Sequence, residues 1–232
     1  MVWRWGLTIA GAAWMSAAPV LAQGTTSANP PTPTWAFTLG VTTDYVRRGT
    51  VRGQDDVEGV GTAQWSRGLF YASVAANTAA VADSDYEVDV SVGLQPTWAG
   101  WAWQIAASRI SYFGGSGDVD NWQVSAQATR SFGPATVVAL VGGSPDYEGA
   151  AEDAVWGQTS LAWAITPKLS ADAVVGFQDQ VGAPDYGWWQ AGITYALTSA
   201  VSADLHWYDT DNAAALGESG DGQAVLALTW SF

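Results

Sequence analysis

The sequence predicts an all-β chain, a transmembrane antiparallel β-barrel of about twelve strands. Three observations carry the prediction. Apolar residues recur at every second position in short segments, the connections between segments alternate between short and long, and the acidic residues follow the long connections. Period-two alternation marks a strand with one apolar face. A soluble barrel hides that face inside and a membrane barrel turns it to lipid, so the period alone does not choose between them. Composition favours lipid: hydrophobic residues are 48% of the chain and charged residues only 13%, about half the globular average. The 15 Trp exceed what one core needs and suit aromatic girdles at two membrane interfaces. A secreted soluble sandwich with a Trp-rich core would explain the strands but not the asymmetry of the connections.

Residues 1–22 read as a secretory signal peptide, with Arg4 in the n-region, an apolar and small run from Leu7 to Ala18, and Val20-Leu21-Ala22 at the cleavage site. No other segment approaches 18 uninterrupted apolar residues, so a membrane form of this chain has to cross with strands. Residues 23–34 (QGTTSANPPTPT) form a Pro/Thr/Ser-rich periplasmic linker with no apolar face. The barrel occupies residues 35–232, with strands expected near 35–45, 56–66, 69–77, 86–96, 100–111, 121–132, 135–143, 154–165, 169–178, 187–197, 200–209 and 222–232.

Four of these alternate most clearly. The fourth sets Val88, Val90, Val92 and Leu94 against Asp89, Ser91, Gly93 and Gln95. The sixth sets Trp122, Val124, Ala126 and Ala128 against Asn121, Gln123, Ser125 and Gln127. The ninth opposes Ala171, Ala173, Val175 and Phe177 to Asp172 and Gln178, and the eleventh opposes Val201, Ala203, Leu205 and Trp207 to Asp204, His206 and Tyr208. The last strand ends Leu228, Trp230, Phe232 on its apolar face. This ending resembles the terminal strand of bacterial outer-membrane barrels, and Phe232 is expected to engage the barrel-assembly machinery.

The connections at Arg67-Gly68, Pro96–Gly100, Gly133-Pro134, Thr166–Lys168 and Thr198-Ser199 are short, and those at 46–55, 78–85, 113–120, 144–153, 179–186 and 210–221 are longer and polar. Short periplasmic turns opposite long external loops are the pattern of an outer-membrane barrel. Of 22 acidic residues, all but Asp44, Asp89, Asp172 and Asp204 lie in or beside the long loops. Trp35, Trp65, Trp98, Trp101, Trp163, Trp188 and Trp230 fall near strand ends, where interfacial rings are expected.

The exit of the first strand reads Val41-Thr42-Thr43-Asp44-Tyr45-Val46-Arg47-Arg48-Gly49. It resembles the corresponding segment of the TorF-like porins, also catalogued as the Gcw_chp family of bacterial proteins. Ser144-Pro145-Asp146-Tyr147 and Trp207-Tyr208-Asp209-Thr210-Asp211 are similar to two further segments of that family, in the same order. The resemblance covers essentially the whole chain after the signal. It implies an outer-membrane location and a channel for passive diffusion of small hydrophilic solutes or ions.

Asp44, Arg48, Asp89, Gln123, Gln127, Asp172, Asp204 and His206 have inward parity and are the expected pore-lining residues. Carboxylates cannot face lipid cheaply, and an inward set of them favours cations, so weak cation selectivity is expected. Asp44 and Arg48 form either a charged pair at the mouth of the lumen or a clamp where the strand leaves the membrane. Arg47, Arg48 and Arg52 could neutralise the acidic loops, bind lipopolysaccharide phosphates or border a constriction. The acidic loops themselves suit divalent bridges to lipopolysaccharide, although Asp209, Asp211, Glu218 and Asp221 lack the spacing of a defined Ca²⁺ loop.

His206 is the sole His, and no nucleophile motif accompanies it, so a barrel enzyme is the weaker alternative. A non-conducting structural or adhesion barrel is the stronger one. No Gly-rich phosphate loop or metal-ligand cluster stands out, so neither a cofactor nor a metal is expected. The absence of Cys rules out disulfides and thiolate sites, and the net charge of −14 argues against nucleic acid as a partner. The partners implied are outer-membrane lipid and lipopolysaccharide.

Overall fold

The computed structural model describes residues 32–53, 57–78, 81–117, 119–148 and 151–232. The signal peptide and residues 23–31 of the linker lie outside the described residues. Twelve long strands follow one another: β1 (Thr34–Thr42), β2 (Glu58–Arg67), β3 (Phe70–Thr78), β4 (Tyr86–Leu94), β5 (Trp101–Phe113), β6 (Asn121–Phe132), β7 (Ala135–Ser144), β8 (Ala154–Ala164), β9 (Leu169–Gln180), β10 (Tyr186–Ala196), β11 (Val201–Thr210) and β12 (Gln223–Ser231). Each pairs antiparallel with its successor, and β12 returns to β1 with Val41 opposite Leu228 and Thr38 opposite Ser231. The seam extends to the last residue, because Phe37 and Phe232 exchange both backbone hydrogen bonds at 3.2 and 2.9 Å. The ring is therefore closed and has no free edge.

Closure sorts the two faces as the alternation requires. Val90, Val92, Val124, Val175, Phe177 and Leu205 are exposed on the outside, while their neighbours Ser91, Gln123, Gln178 and His206 are buried within. An apolar band that is exposed in the isolated chain, wrapped around a polar interior, is the arrangement a bilayer requires. At the short-turn border the Arg130 guanidinium lies 4.9 Å from the Phe132 ring and 5.8 Å from the Trp101 ring. At the opposite border Arg109 lies 5.6 Å from the Trp122 ring and pairs with Asp120 at 3.1 Å. Both cations sit beside ring faces at strand ends, where a long side chain can reach headgroups. Val90 lies midway along β4 on the lipid face. Val90→Asp is expected to cost roughly 1–2 kcal/mol, less than an Arg would at the midplane, measured by urea unfolding of the refolded barrel in lipid.

Two expectations need correction. The connection expected at 179–186 shrinks to 181–185, because β9 continues to Gln180 and β10 begins at Tyr186. The ladder continues into it: Gln180 pairs with Ala154, and the Gln180 backbone N–H donates to Asp185 at 2.8 Å. Trp188 is not interfacial. It is 4% exposed and points inward, while its neighbour Trp189 faces outward.

Candidate functional site

The segment after β1 turns back into the barrel. Val46–Arg47 pairs with Thr50–Val51 as a short hairpin. Arg48 and Gly49 at its tip have φ of 51° and 81°, the positive values a two-residue type I′ hairpin turn demands. The turn is closed by Thr50 donating its hydroxyl to the Arg47 carbonyl at 2.9 Å. Tyr45, Val46, Arg47 and Arg48 are all buried. The hairpin fills the long-loop end of the lumen.

Its arginines have different partners. Arg47 donates to Glu87 of β4 at 3.0 Å and to Gln123 of β6 at 3.3 Å. Glu87 also accepts from Tyr45 at 2.8 Å and from Asn77 at 3.3 Å. Arg48 donates to Tyr147 at 2.7 Å, to Gln178 at 3.0 Å and to Gln123 at 3.0 Å, and its guanidinium lies 3.6 Å from the Trp156 ring centroid. Burial pushes the Arg48 guanidinium below its ordinary pKa, and the neighbouring Arg47 charge acts in the same direction. Arg52 pairs with Glu148 from the loop between β7 and β8, and Tyr112 donates to the same carboxylate.

Burial alone would raise the Glu148 carboxyl, but Arg52 and Arg47 outweigh it and hold the group at about 2. A depressed carboxylate stabilises the fold fully above its unfolded value, near 4.5, and that contribution is lost as pH falls toward 2. Barrel stability is therefore expected to drop by roughly 3 kcal/mol over that window. Glu148→Gln should flatten the slope in a pH series of urea unfolding.

The expected lining residues separate into two levels. Gln123 belongs to the upper cluster, and Asp89 lies two residues deeper on β4 than Glu87, buried at 9% exposure. Asp172 and Asp204 are near the short-turn ends of β9 and β11. There His206 Nε2 sits 2.9 Å from Asp172 Oδ1, and Asp204 accepts from Thr194 at 2.6 Å and Ser202 at 3.3 Å. The three acids thus do not form one ring. Gln127 lies half-buried opposite Gln104. Asp44 is half-buried at the strand exit, and its carbonyl accepts from Thr42 at 2.9 Å. The turn carries the Arg48 side chain across the lumen to Tyr147, Gln178, Gln123 and Trp156.

Sequence reasoning missed Glu87, Tyr147, Glu148, Trp156 and Gln178 as parts of the site. A signal existed for two of them. Glu87 shares the inward parity of Asp89, and Gln178 shares that of Asp172.

The three segments that carried the family resemblance meet here. Arg48 of the first bonds Tyr147 of the second, Val46 of the first packs with Tyr208 of the third and with Val225, and a Cβ on Gly49 would approach Thr210 of the third at 3.3 Å. The family model described as "Bacterial protein of unknown function (Gcw_chp)" matches residues 25–232. The chain belongs to the Gcw_chp family. No curated protein matches it in sequence.

Solved structures do resemble this Gcw_chp barrel. The KdgM porin superposes with a TM-score of 0.60 at 7% identity, over 85% of this chain and 99% of the porin. The NanC porin gives 0.56 at 9% identity, over 86% and 99%. An outer membrane channel from Pseudomonas putida F1 gives 0.52 at 10% identity, over 90% and 99%. At these identities the likeness establishes the fold: this Gcw_chp chain is a twelve-stranded barrel of the outer-membrane porin type.

Proposed function

We propose that the barrel resides in the outer membrane and acts as a channel for passive diffusion of small hydrophilic solutes or ions, with a weak preference for cations. The observation that carries this reading is a closed, lipid-facing ring around a polar interior. Within it Glu87, Asp89, Asp172, Asp204 and Glu148 provide more negative than positive charge, the cations being Arg47, Arg48 and Arg52. Such an interior attracts cations over anions. Gln123, Gln127 and His206 would supply hydrogen-bonding lining, and His206 has no catalytic part in this reading. Lipopolysaccharide at the acidic loops, and the barrel-assembly machinery engaging Phe232, complete the proposed partners.

The buried hairpin favours a second reading, a barrel that does not conduct. Planar-bilayer recording of the refolded protein under a KCl gradient separates the two. Unit conductance with a reversal potential displaced toward that of K⁺ is the expected result. Displacement toward Cl⁻ would remove the cation preference, and a lasting absence of conductance would leave the structural barrel.

A further inference from the structure

We infer that the Tyr45–Arg52 hairpin is a tethered counter-ion plug: seated, it blocks the lumen and neutralises its acids, and withdrawn, it opens a wider and more cation-selective pore. This rests on the channel reading above.

The lumen's described cations come from one place. Arg47, Arg48 and Arg52 all lie on this hairpin, whereas Glu87 and Asp89 belong to the barrel wall and Glu148 to a neighbouring loop. Position and charge are thereby coupled. A movement that clears the bore also removes the positive charge facing those carboxylates. Electroneutrality would then recruit mobile cations to Glu87 and Asp89.

The attachment is also suited to a removable element. The hairpin's two strands pair with each other, Val46 with Val51 and Arg47 with Thr50, and they stand as a sheet separate from the barrel. Removing it therefore breaks no inter-strand pairing of the barrel itself. It is held to the wall by side chains: the Arg47–Glu87 pair, the Arg48 bonds to Gln123 and Gln178, and the packing of Val46 with Tyr208 and Val225. At its base Arg52 donates its backbone N–H to the Tyr45 carbonyl at 2.7 Å, so the two legs can travel as one unit. The buried guanidiniums need not stay with the wall to be solvated, since an outward swing delivers them to water and to the acidic loops. The same motion leaves Glu87 in a wet lumen, where its charge no longer requires a bonded partner.

Two variants test this in planar bilayers. The chain has no native Cys, so Val46→Cys/Val225→Cys gives a clean crosslink between plug and wall. After oxidation or a short bis-thiol reagent, with the crosslink verified by mass spectrometry, unit conductance should fall several-fold below the reduced state and recover on reduction. Arg47→Gln/Arg52→Gln releases the plug without a crosslink. It should raise unit conductance or open probability several-fold and shift the reversal potential further toward K⁺. A shift in reversal potential with unchanged conductance would reflect charge removal alone and overturn the plug. Crosslinked channels that conduct as well as reduced ones would overturn it too, while leaving the channel reading standing. No conductance from the wild-type or either variant would instead overturn the channel reading, and the plug with it.

Discussion

Glu87→Ala is expected to cost about 3–5 kcal/mol, the largest single effect at this site. The carboxylate is fully buried and accepts from Tyr45, Arg47 and Asn77. Its removal leaves the Arg47 guanidinium, itself 3% exposed, with only the neutral acceptors Tyr112 and Gln123 at 3.4 and 3.3 Å. A buried charge in that state has two routes open to it. The barrel can lose stability as a whole, or the hairpin can leave its seat and carry Arg47 to water. Urea unfolding of the refolded barrel reports the first. Trypsin cleavage at Arg47, Arg48 and Arg52 under folded conditions reports the second, because the seated hairpin hides these residues. Adding Arg47→Met should recover part of the loss, since both charges are then gone. A single variant within about 0.5 kcal/mol of the wild type and equally resistant to trypsin would show that the pair contributes nothing to the seat.

Gly49→Val should be nearly as damaging, for a steric reason. Gly49 has a φ of 81°, a left-handed conformation that costs an L-residue about 1–2 kcal/mol and is least tolerated by β-branched side chains. A Cβ there would also enter the Trp188 side chain, 2.9 Å from its Cγ. Trp188 cannot retreat freely, because its ring lies over the equally tight Gly176 on β9. Overpacking of this kind adds about 1–3 kcal/mol, for a total of roughly 2–5 kcal/mol. Gly59→Ala is the internal control. Nothing lies within 4 Å of a Cβ at that position, so its stability should stay within about 0.5 kcal/mol of the wild type. If both substitutions unfold at the same urea concentration as the wild type, the hairpin does not press on β10.

The two glycine sites show where a sequence can and cannot be read. The dipeptide Arg48-Gly49 is a legible turn signal, since Gly supplies positive φ. What the turn touches is not legible. The basic run Arg47, Arg48, Arg52 reads naturally as a solvated loop face, and only the large apolar neighbours Tyr45 and Val46 hint that the segment turns inward. Trp188 was similarly ambiguous in kind but not in parity. Consecutive residues of a strand face opposite ways, so the Trp188-Trp189 pair requires one ring inside. The general preference of Trp for the interface hid that requirement.

The alternating segments determined the number, order and sidedness of the strands, because each depends on a local period that lipid on one side and a polar interior on the other impose independently on every strand. The three segments behind the family resemblance also stood out as linear patterns. The tertiary structure alone decided that these segments meet around one hairpin, that Arg47 finds Glu87 across 40 positions and Arg48 finds Gln178 across 130, and that His206 pairs with Asp172 and not with its sequence neighbour Asp204. Such pairings depend on which strands face each other across the closed ring and on how far the hairpin reaches into it. Neither quantity leaves a periodic trace in the chain, since a side chain that spans a lumen is constrained by the opposite wall and not by its own neighbours.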